Sequence, residues 1–436
     1  MPYTTRRKFL NRMALGAGLV AFRNVLTQPV STLTDNDLSR RLWVDLKQHA
    51  GFGYKYSGGP GDQATAGWIA GRLERLGYTV KESTFAAPFF IKRTTTLSVG
   101  DRVQEVVPQA PVVTTAAVGI RKQLVLVQKD VGDVRDKIAV FITPFGRHAA
   151  LFPQRGIGKT VTEIARAGAA AIVMVTEGPS GEAIALNAPD HPFVPIPTAV
   201  LAPKHADAFI AAARAGKQAT LILDGEATHR PSKNLVARLN RGKQWLAIST
   251  PRSGWYQCVA ERGTGTAAFL ELADWAIRRF PDLSIFLMNT GGHEYFFAGT
   301  RYVLDQVPPA ADTLAWVHIG ATLAARAAEQ RGGKLVMLDR ADTHRRMLAT
   351  EPAMAAVKQG FAGLPGLEQP GVVMPQAGEL SSFTGLGFDT AFAEIGVHDW
   401  FHTVEDTLER VDVRLLLPVI EAHKRTIEIL VAANSG

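Results

Sequence analysis

The chain has one cysteine, Cys258, in 436 residues. No disulfide can form within it, so the fold must rest on packing, polar networks or a bound ion. Long apolar runs are also missing. No stretch reaches the roughly 18 apolar residues of a membrane-crossing helix, and no stable membrane span is expected. Like charges never run to five in a row, which removes the usual mark of a nucleic-acid-binding tail. Neither common glycine-rich phosphate loop is present. Ser253-Gly254 lacks the preceding glycine of a nucleophile elbow, and Cys258 has no nucleophile signature around it.

What the chain does have is a core. Hydrophobic residues make up 46% and charged residues 20%, in a length that suits two or three domains. The net charge is +8, but residues 1–24 hold Arg6, Arg7, Lys8, Arg12 and Arg23 and no acid, which leaves 8 − 5 = +3 for the remainder. No nucleic-acid partner is expected. The same N-terminal stretch, Thr4-Thr5-Arg6-Arg7-Lys8-Phe9-Leu10-Asn11, resembles a twin-arginine export signal, followed by a short apolar region from Met13 to Phe22. That resemblance implies export to the periplasm or beyond, with residues 1–30 as signal and linker.

Periodicity predicts helices at 37–49, from Asp62 to Leu76 and at 264–280, with a C-terminal helix through Leu415, Leu416, Ile420, Ile427 and Leu430. Apolar runs at 234–239, 245–249, 283–289 and 314–319 read as strands. Strands alternating with helices argue for an α/β fold with a mostly parallel sheet. Between about 96 and 231 the texture turns to shorter β-rich runs. His205-Ala206-Asp207 lies here at a predicted helix start and reads as surface.

The chemistry gathers around Gly291-Gly292-His293-Glu294, directly after the strand ending at Asn289. Two glycines allow a sharp turn. Two ionisable side chains then stand at the carboxyl end of a buried strand, where open α/β sheets place their ligands.

Several stretches carry a family resemblance. Ser57 to Tyr78, the Gly299-Thr300-Arg301-Tyr302-Val303 run and Phe401-His402-Thr403-Val404-Glu405-Asp406-Thr407 are similar to the di-zinc aminopeptidases of peptidase family M twenty-eight. The resemblance implies a three-layer α/β/α sandwich with a mostly parallel central sheet. It also implies a smaller β-rich α/β insertion resembling a protease-associated domain. The expected division is 37–95 and 232–436 for the peptidase-like part and 96–231 for the insertion.

The catalytic positions depart from the family pattern. The strand 245–249 should lead into a His-x-Asp pair; the chain reads Ser249-Thr250-Pro251-Arg252-Ser253. The general-base Glu is His293 and a late Asp is His318. The resemblance nevertheless leaves Glu261, Glu294 and His402 as ligands for one zinc ion, two oxygens and one nitrogen with an open position. His318 is expected as a fourth ligand or supporting group, His293 as general base, and Arg252 as the cation that steadies a substrate carboxylate or oxyanion. Single-zinc relatives, the glutaminyl cyclases, exist in the superfamily. The expectation is therefore an exported single-zinc hydrolase acting on a peptide or amide substrate. The alternative is a catalytically dead relative that binds peptides or proteins without metal.

Overall fold

The computed structural model describes residues 37–435 apart from 129, 152–155 and 375–377. The export-signal reading of residues 1–30 lies outside the described residues. Among the described residues no helix is long and apolar enough to cross a membrane.

Four parallel strands form the centre. They run side by side in the order Ala391–Gly396, Thr313–His318, Trp245–Pro251, Ser284–Thr290. Strand Arg345–Ala349 adds antiparallel on one side, and Gln218–Leu239 adds antiparallel on the other. Every residue of Ser284–Thr290 is buried, as a strand covered on both faces requires. Its alternate side chains divide cleanly: Ile285 and Leu287 enter one core, Phe286 and Met288 the other.

The first core receives the long helices Asp37–Gly51, Pro60–Arg75, Thr264–Arg279, Glu351–Gly360 and Val413–Asn434. The second face is closed by a thinner layer, in which Leu304 and Phe383 come from short helical turns and Val303 and Leu380 directly precede them. The helix Pro60–Arg75 shows how local sequence sets these elements. Pro60 needs no helical N–H at the first position. Asp62 accepts the Gly58 amide at 2.8 Å. Ala66, Ile69, Ala70 and Leu73 face the core, and Gly77 turns the chain away at φ +90°.

The smaller sheet within residues 97–223 is tied to the central one by one long ribbon. Thr79–Val99 pairs antiparallel with Gln218–Leu239 from Thr79–Arg238 to Ser98–Thr220, with a bulge at Arg93. The second strand of the ribbon runs on from the central sheet, where it pairs with Ser284–Thr290, to the strand Ile120–Val127. Beyond it Ile138–Ile142, Ala171–Val175 and Thr198–Leu201 add in parallel. Two cores built from residues 97–223 cover the two faces of this smaller sheet. His205 and Asp207 lie exposed there.

Candidate functional site

The site forms where three parallel strands end. Trp245–Pro251 leads into Arg252 and Ser253, Ser284–Thr290 into His293 and Glu294, and Thr313–His318 ends on His318 itself. Glu261 comes from a single π-helical turn, Val259–Gly263, just before the helix Thr264–Arg279. His402 comes from the loop ahead of the C-terminal helix. Asp406 holds these last two segments together, since its carboxylate accepts the amides of Ala260 at 2.7 Å and Glu261 at 3.1 Å.

The backbone here is strained. Tyr256, Cys258, Phe296, Phe297, Thr322 and His402 all have positive φ, between 42° and 74°. Such conformations cost roughly 1–3 kcal/mol each and persist where the surrounding structure fixes them, commonly at functional sites. Gly292, at φ +71°, cannot be replaced cheaply, because a Cβ there would lie 2.7 Å from the Phe85 ring.

Two clusters emerge. In the first, Glu261 Oε1 accepts from Arg262 Nη2 at 2.8 Å and from His402 Nε2 at 3.2 Å. Arg262 also donates from Nε to the Ser253 carbonyl at 3.1 Å. Glu294 accepts from Ser253 Oγ at 2.8 Å, and that same hydroxyl receives the Gly292 amide at 2.7 Å. Glu261, Arg262, Glu294 and His402 are all at most 2% exposed. Burial alone would raise the Glu261 carboxyl, but Arg262 and His402 outweigh it and hold it down at about 2. Glu294 has no such partner. Burial, reinforced by Glu261, pushes it up to about 8 against the pull of Arg262 and Ser253.

The second cluster centres on Glu379. Its carboxylate accepts from His293 Nδ1 at 2.8 Å and from Thr290 Oγ1 at 3.1 Å, and from the Thr300 hydroxyl as well. These donors overcome burial and hold it down at about 2. His293 is lowered, first by burial and then by Arg262, against the attraction of Glu379. A neutral ring donating from Nδ1 to Glu379 leaves Nε2 with a free lone pair. The His293 side chain keeps 17% exposure and is the wettest group of the site. His318 turns Nε2 toward Glu379 at 3.8 Å and places Nδ1 2.9 Å from Ser249 Oγ. Burial brings it down to about 4.

Sequence reasoning overlooked Arg262 and Glu379. Arg262 had a visible signal, a cation directly beside the carboxylate assigned to a metal. Glu379 lies two residues before Ser381-Ser382-Phe383, in a stretch with neither motif nor apolar periodicity.

The structure corrects the role expected of Arg252. Its Nε donates to Asp62 at 2.7 Å, Nη1 to Asn289 Oδ1 at 2.7 Å and Nη2 to the Lys233 carbonyl at 2.6 Å. It is fully buried and committed on all sides, so it braces the strand ends and offers nothing to a substrate. Of the two places expected for His318, ligand or supporting group, its side chain stands with His293 around Glu379.

The zinc expectation can be tested on the donors themselves. Zinc takes lone pairs converging at roughly 2.0–2.2 Å. His402 has Nδ1 2.8 Å from the Ala185 carbonyl and Nε2 3.2 Å from Glu261 Oε1, so both ring nitrogens already face protein partners. The Glu261 oxygen nearest it is already shared with a guanidinium. Among the described residues no group of three or more His, Cys, Asp or Glu side chains is placed to hold a metal ion. As arranged, Glu261, Glu294, His402 and His318 do not fit one.

The segment 185–188 lies against this site. The Ala185 amide donates to the His402 carbonyl at 3.0 Å, and the Ala188 amide to the Glu294 carbonyl at 3.0 Å. Trp255 Nε1 donates to Asn187 Oδ1 at 2.8 Å.

A pH prediction follows from Glu294. An acid whose folded value exceeds its unfolded value of 4.5 favours the folded state below that pH. The advantage is lost as the pH rises toward about 8. Urea titrations at about pH 5 and pH 8 should show that Glu294→Gln removes a loss of a few kcal/mol that the wild type suffers across this window. Equal pH slopes in the two proteins would contradict the assignment.

No family model and no curated protein matches the chain. Solved structures do. An aminopeptidase from Aneurinibacillus sp. strain AM-1 superposes with TM-score 0.63 at 17% identity, over 91% of this chain and 94% of that one. A zinc aminopeptidase from Bacillus subtilis gives TM-score 0.67 at 16% identity, over 89% and 94%. A Peptidase M28 precursor from Shewanella amazonensis gives 0.66 at 16%, over 90% and 95%. The likeness spans nearly the whole of both chains and shows the aminopeptidase-like α/β fold.

Proposed function

We propose that this chain is an aminopeptidase-fold protein that recognises a peptide or other amide without a bound metal, Arg262 supplying the positive charge at the site. One observation carries the reading: Arg262 and His402 together occupy the Glu261 oxygen that a metal would need. A catalytic metal ion can both polarise an amide and activate water. Here the internal cation is fixed by an ion pair and cannot carry a water nucleophile, so binding is favoured over hydrolysis. The single-zinc hydrolase expected from the sequence is correspondingly disfavoured, while the peptide or amide ligand class is retained.

A second reading rests on the His293–Glu379 pair. A neutral imidazole oriented by a buried carboxylate is the arrangement of a general base. In that case His293 Nε2 takes a proton from water, and Arg262 steadies the charge that develops nearby.

One experiment separates these readings. Short peptides and aminoacyl p-nitroanilides are added to the full chain in excess EDTA, with calorimetry for binding and absorbance for cleavage. The binding reading expects saturable heat and no turnover. Turnover that persists in EDTA and falls at least about a hundredfold in His293→Ala would establish the second reading. Turnover lost in EDTA and restored by zinc would overturn both.

The proposal also takes in residues 96–231 as a protease-associated-like insertion and residues 4–11 as an export signal. The signal predicts that Arg6→Lys with Arg7→Lys abolishes export of a fused reporter, measured as its disappearance from the periplasmic fraction. Unchanged export would remove that part of the reading.

A further inference from the structure

We infer that residues 185–188 form a built-in ligand, lying where the peptide of the reading above would lie, and that the site takes extended peptides with a small residue followed two positions later by asparagine. The inference rests on the peptide-binding reading and adds the sequence it recognises and the internal segment that competes for the site.

Three observations support it. The first is backbone pairing with the site residues themselves. The Ala185 amide donates to the His402 carbonyl at 3.0 Å, and the Ala185 carbonyl accepts from His402 Nδ1 at 2.8 Å. The Ala188 amide donates to the Glu294 carbonyl at 3.0 Å. All three bonds use only the main chain of the segment, so an outside peptide of the same shape can replace them. Extended-peptide recognition draws affinity from such bonds and specificity from alternate side chains.

The second observation is that alternation. Ile184, Leu186 and Ala188 belong to the apolar core on one face of the smaller sheet. Ala185 instead packs among Phe85, Trp255, Tyr256 and Tyr295, and Asn187 Oδ1 accepts from Trp255 Nε1 at 2.8 Å. The two intervening side chains therefore offer a methyl group and a hydrogen-bond acceptor. The Trp255 and Tyr295 rings meet edge to face at 6.2 Å and are at most 7% exposed, an enclosure that suits a small side chain.

The third is cover. Glu294 and His402 are each 1% exposed, and the segment already holds their carbonyls, so an outside peptide pairs with them only by displacing it. The other backbone groups of the segment are held by Ala149, Leu151 and Gln109, which keeps it at hand after it leaves. Apparent affinity for an outside peptide is then the intrinsic affinity reduced by the fraction of chains with the segment displaced.

The test uses the full chain as wild type, Asn187→Ala, and Asn187→Ala with Ala188→Pro, which also removes the amide that pairs with Glu294. The probe is acetyl-Ile-Ala-Leu-Asn-Ala-amide, and a control peptide carries Leu in place of Asn. Calorimetry gives the affinities, and hydrogen exchange read by mass spectrometry follows residues 184–188. Asn187→Ala should bind the probe about tenfold more tightly than the wild type, and the double variant at least about a hundredfold more tightly. The control peptide should bind at least about tenfold more weakly than the probe. Adding the probe to the wild type should speed exchange of residues 184–188.

Folded variants with wild-type affinity for the probe would overturn the built-in ligand and leave the peptide reading intact. No binding by the wild type, or by variants whose residues 184–188 exchange freely, would overturn the peptide reading and this inference with it. Should the variants fail to fold, exchange in the wild type decides: faster exchange of residues 184–188 with the probe bound supports the inference, and unchanged exchange overturns it.

Discussion

Replacing Arg262 with methionine in the absence of metal lowers stability by about 3–5 kcal/mol, the range seen when one partner of a buried ion pair is removed. The reason is the stranded charge on Glu261, which has no exposure and no other cation as near as the 2.8 Å contact to Arg262. Adding Glu261→Gln in the same chain should recover much of the loss, because a neutral amide tolerates burial where an unpaired carboxylate does not. Chemical denaturation of both single variants and the double variant gives the coupling directly. A double variant as unstable as the sum of the singles would show that Arg262 and Glu261 do not act as a pair.

Arg252→Met is expected to cost a similar amount, about 3–5 kcal/mol, for a different reason. Asp62 loses the guanidinium that it pairs with at 2.7 Å, and Asn289 Oδ1 and the Lys233 carbonyl each lose a donor. Asp62 also accepts from Gly58 and Ser232, so the loss spreads to the helix Pro60–Arg75 and to the Gln218–Leu239 strand. Peptide affinity per folded molecule should stay near the wild-type value. A stable Arg252→Met protein that no longer binds would restore Arg252 to the site and refute the bracing role.

The contrast between these two arginines shows where the sequence was legible. The strands ending at Pro251, Thr290 and His318 and the long helices could be read from apolar periodicity, because each buries a face and must repeat accordingly. His402 does lie 3.2 Å from Glu261, two residues that the family resemblance had singled out. What could not be read was which guanidinium faced which carboxylate. Arg252 stands where the resembling family has an acid, which suggested a place in the site. Its partner Asp62 lies 190 positions earlier, in a stretch that reads as an ordinary helix start. Arg262 follows Glu261 directly, yet ion pairing between neighbours in sequence depends on the local turn. Here the π-helical turn at Val259–Gly263 brings the two side chains together. Glu379 was missed because it sits in a loop without periodicity, and only the fold shows that His293, Thr290 and Thr300 converge on it.

The hairpin formed by Arg326–Arg331 and Lys334–Ala341 also escaped the sequence reading. Arg326–Arg331 is largely polar and Leu335 to Leu338 is an unbroken apolar run, so neither strand shows a period-2 alternation.

The central claim is that the Arg262 guanidinium, and no metal ion, supplies the positive charge beside Glu261. Metal analysis of the full chain purified from zinc-supplemented cells tests it most directly. The account predicts less than about 0.2 zinc per chain and an unfolding temperature that EDTA does not change. One or two zinc ions per chain, lost to EDTA together with a fall in that temperature, would contradict it.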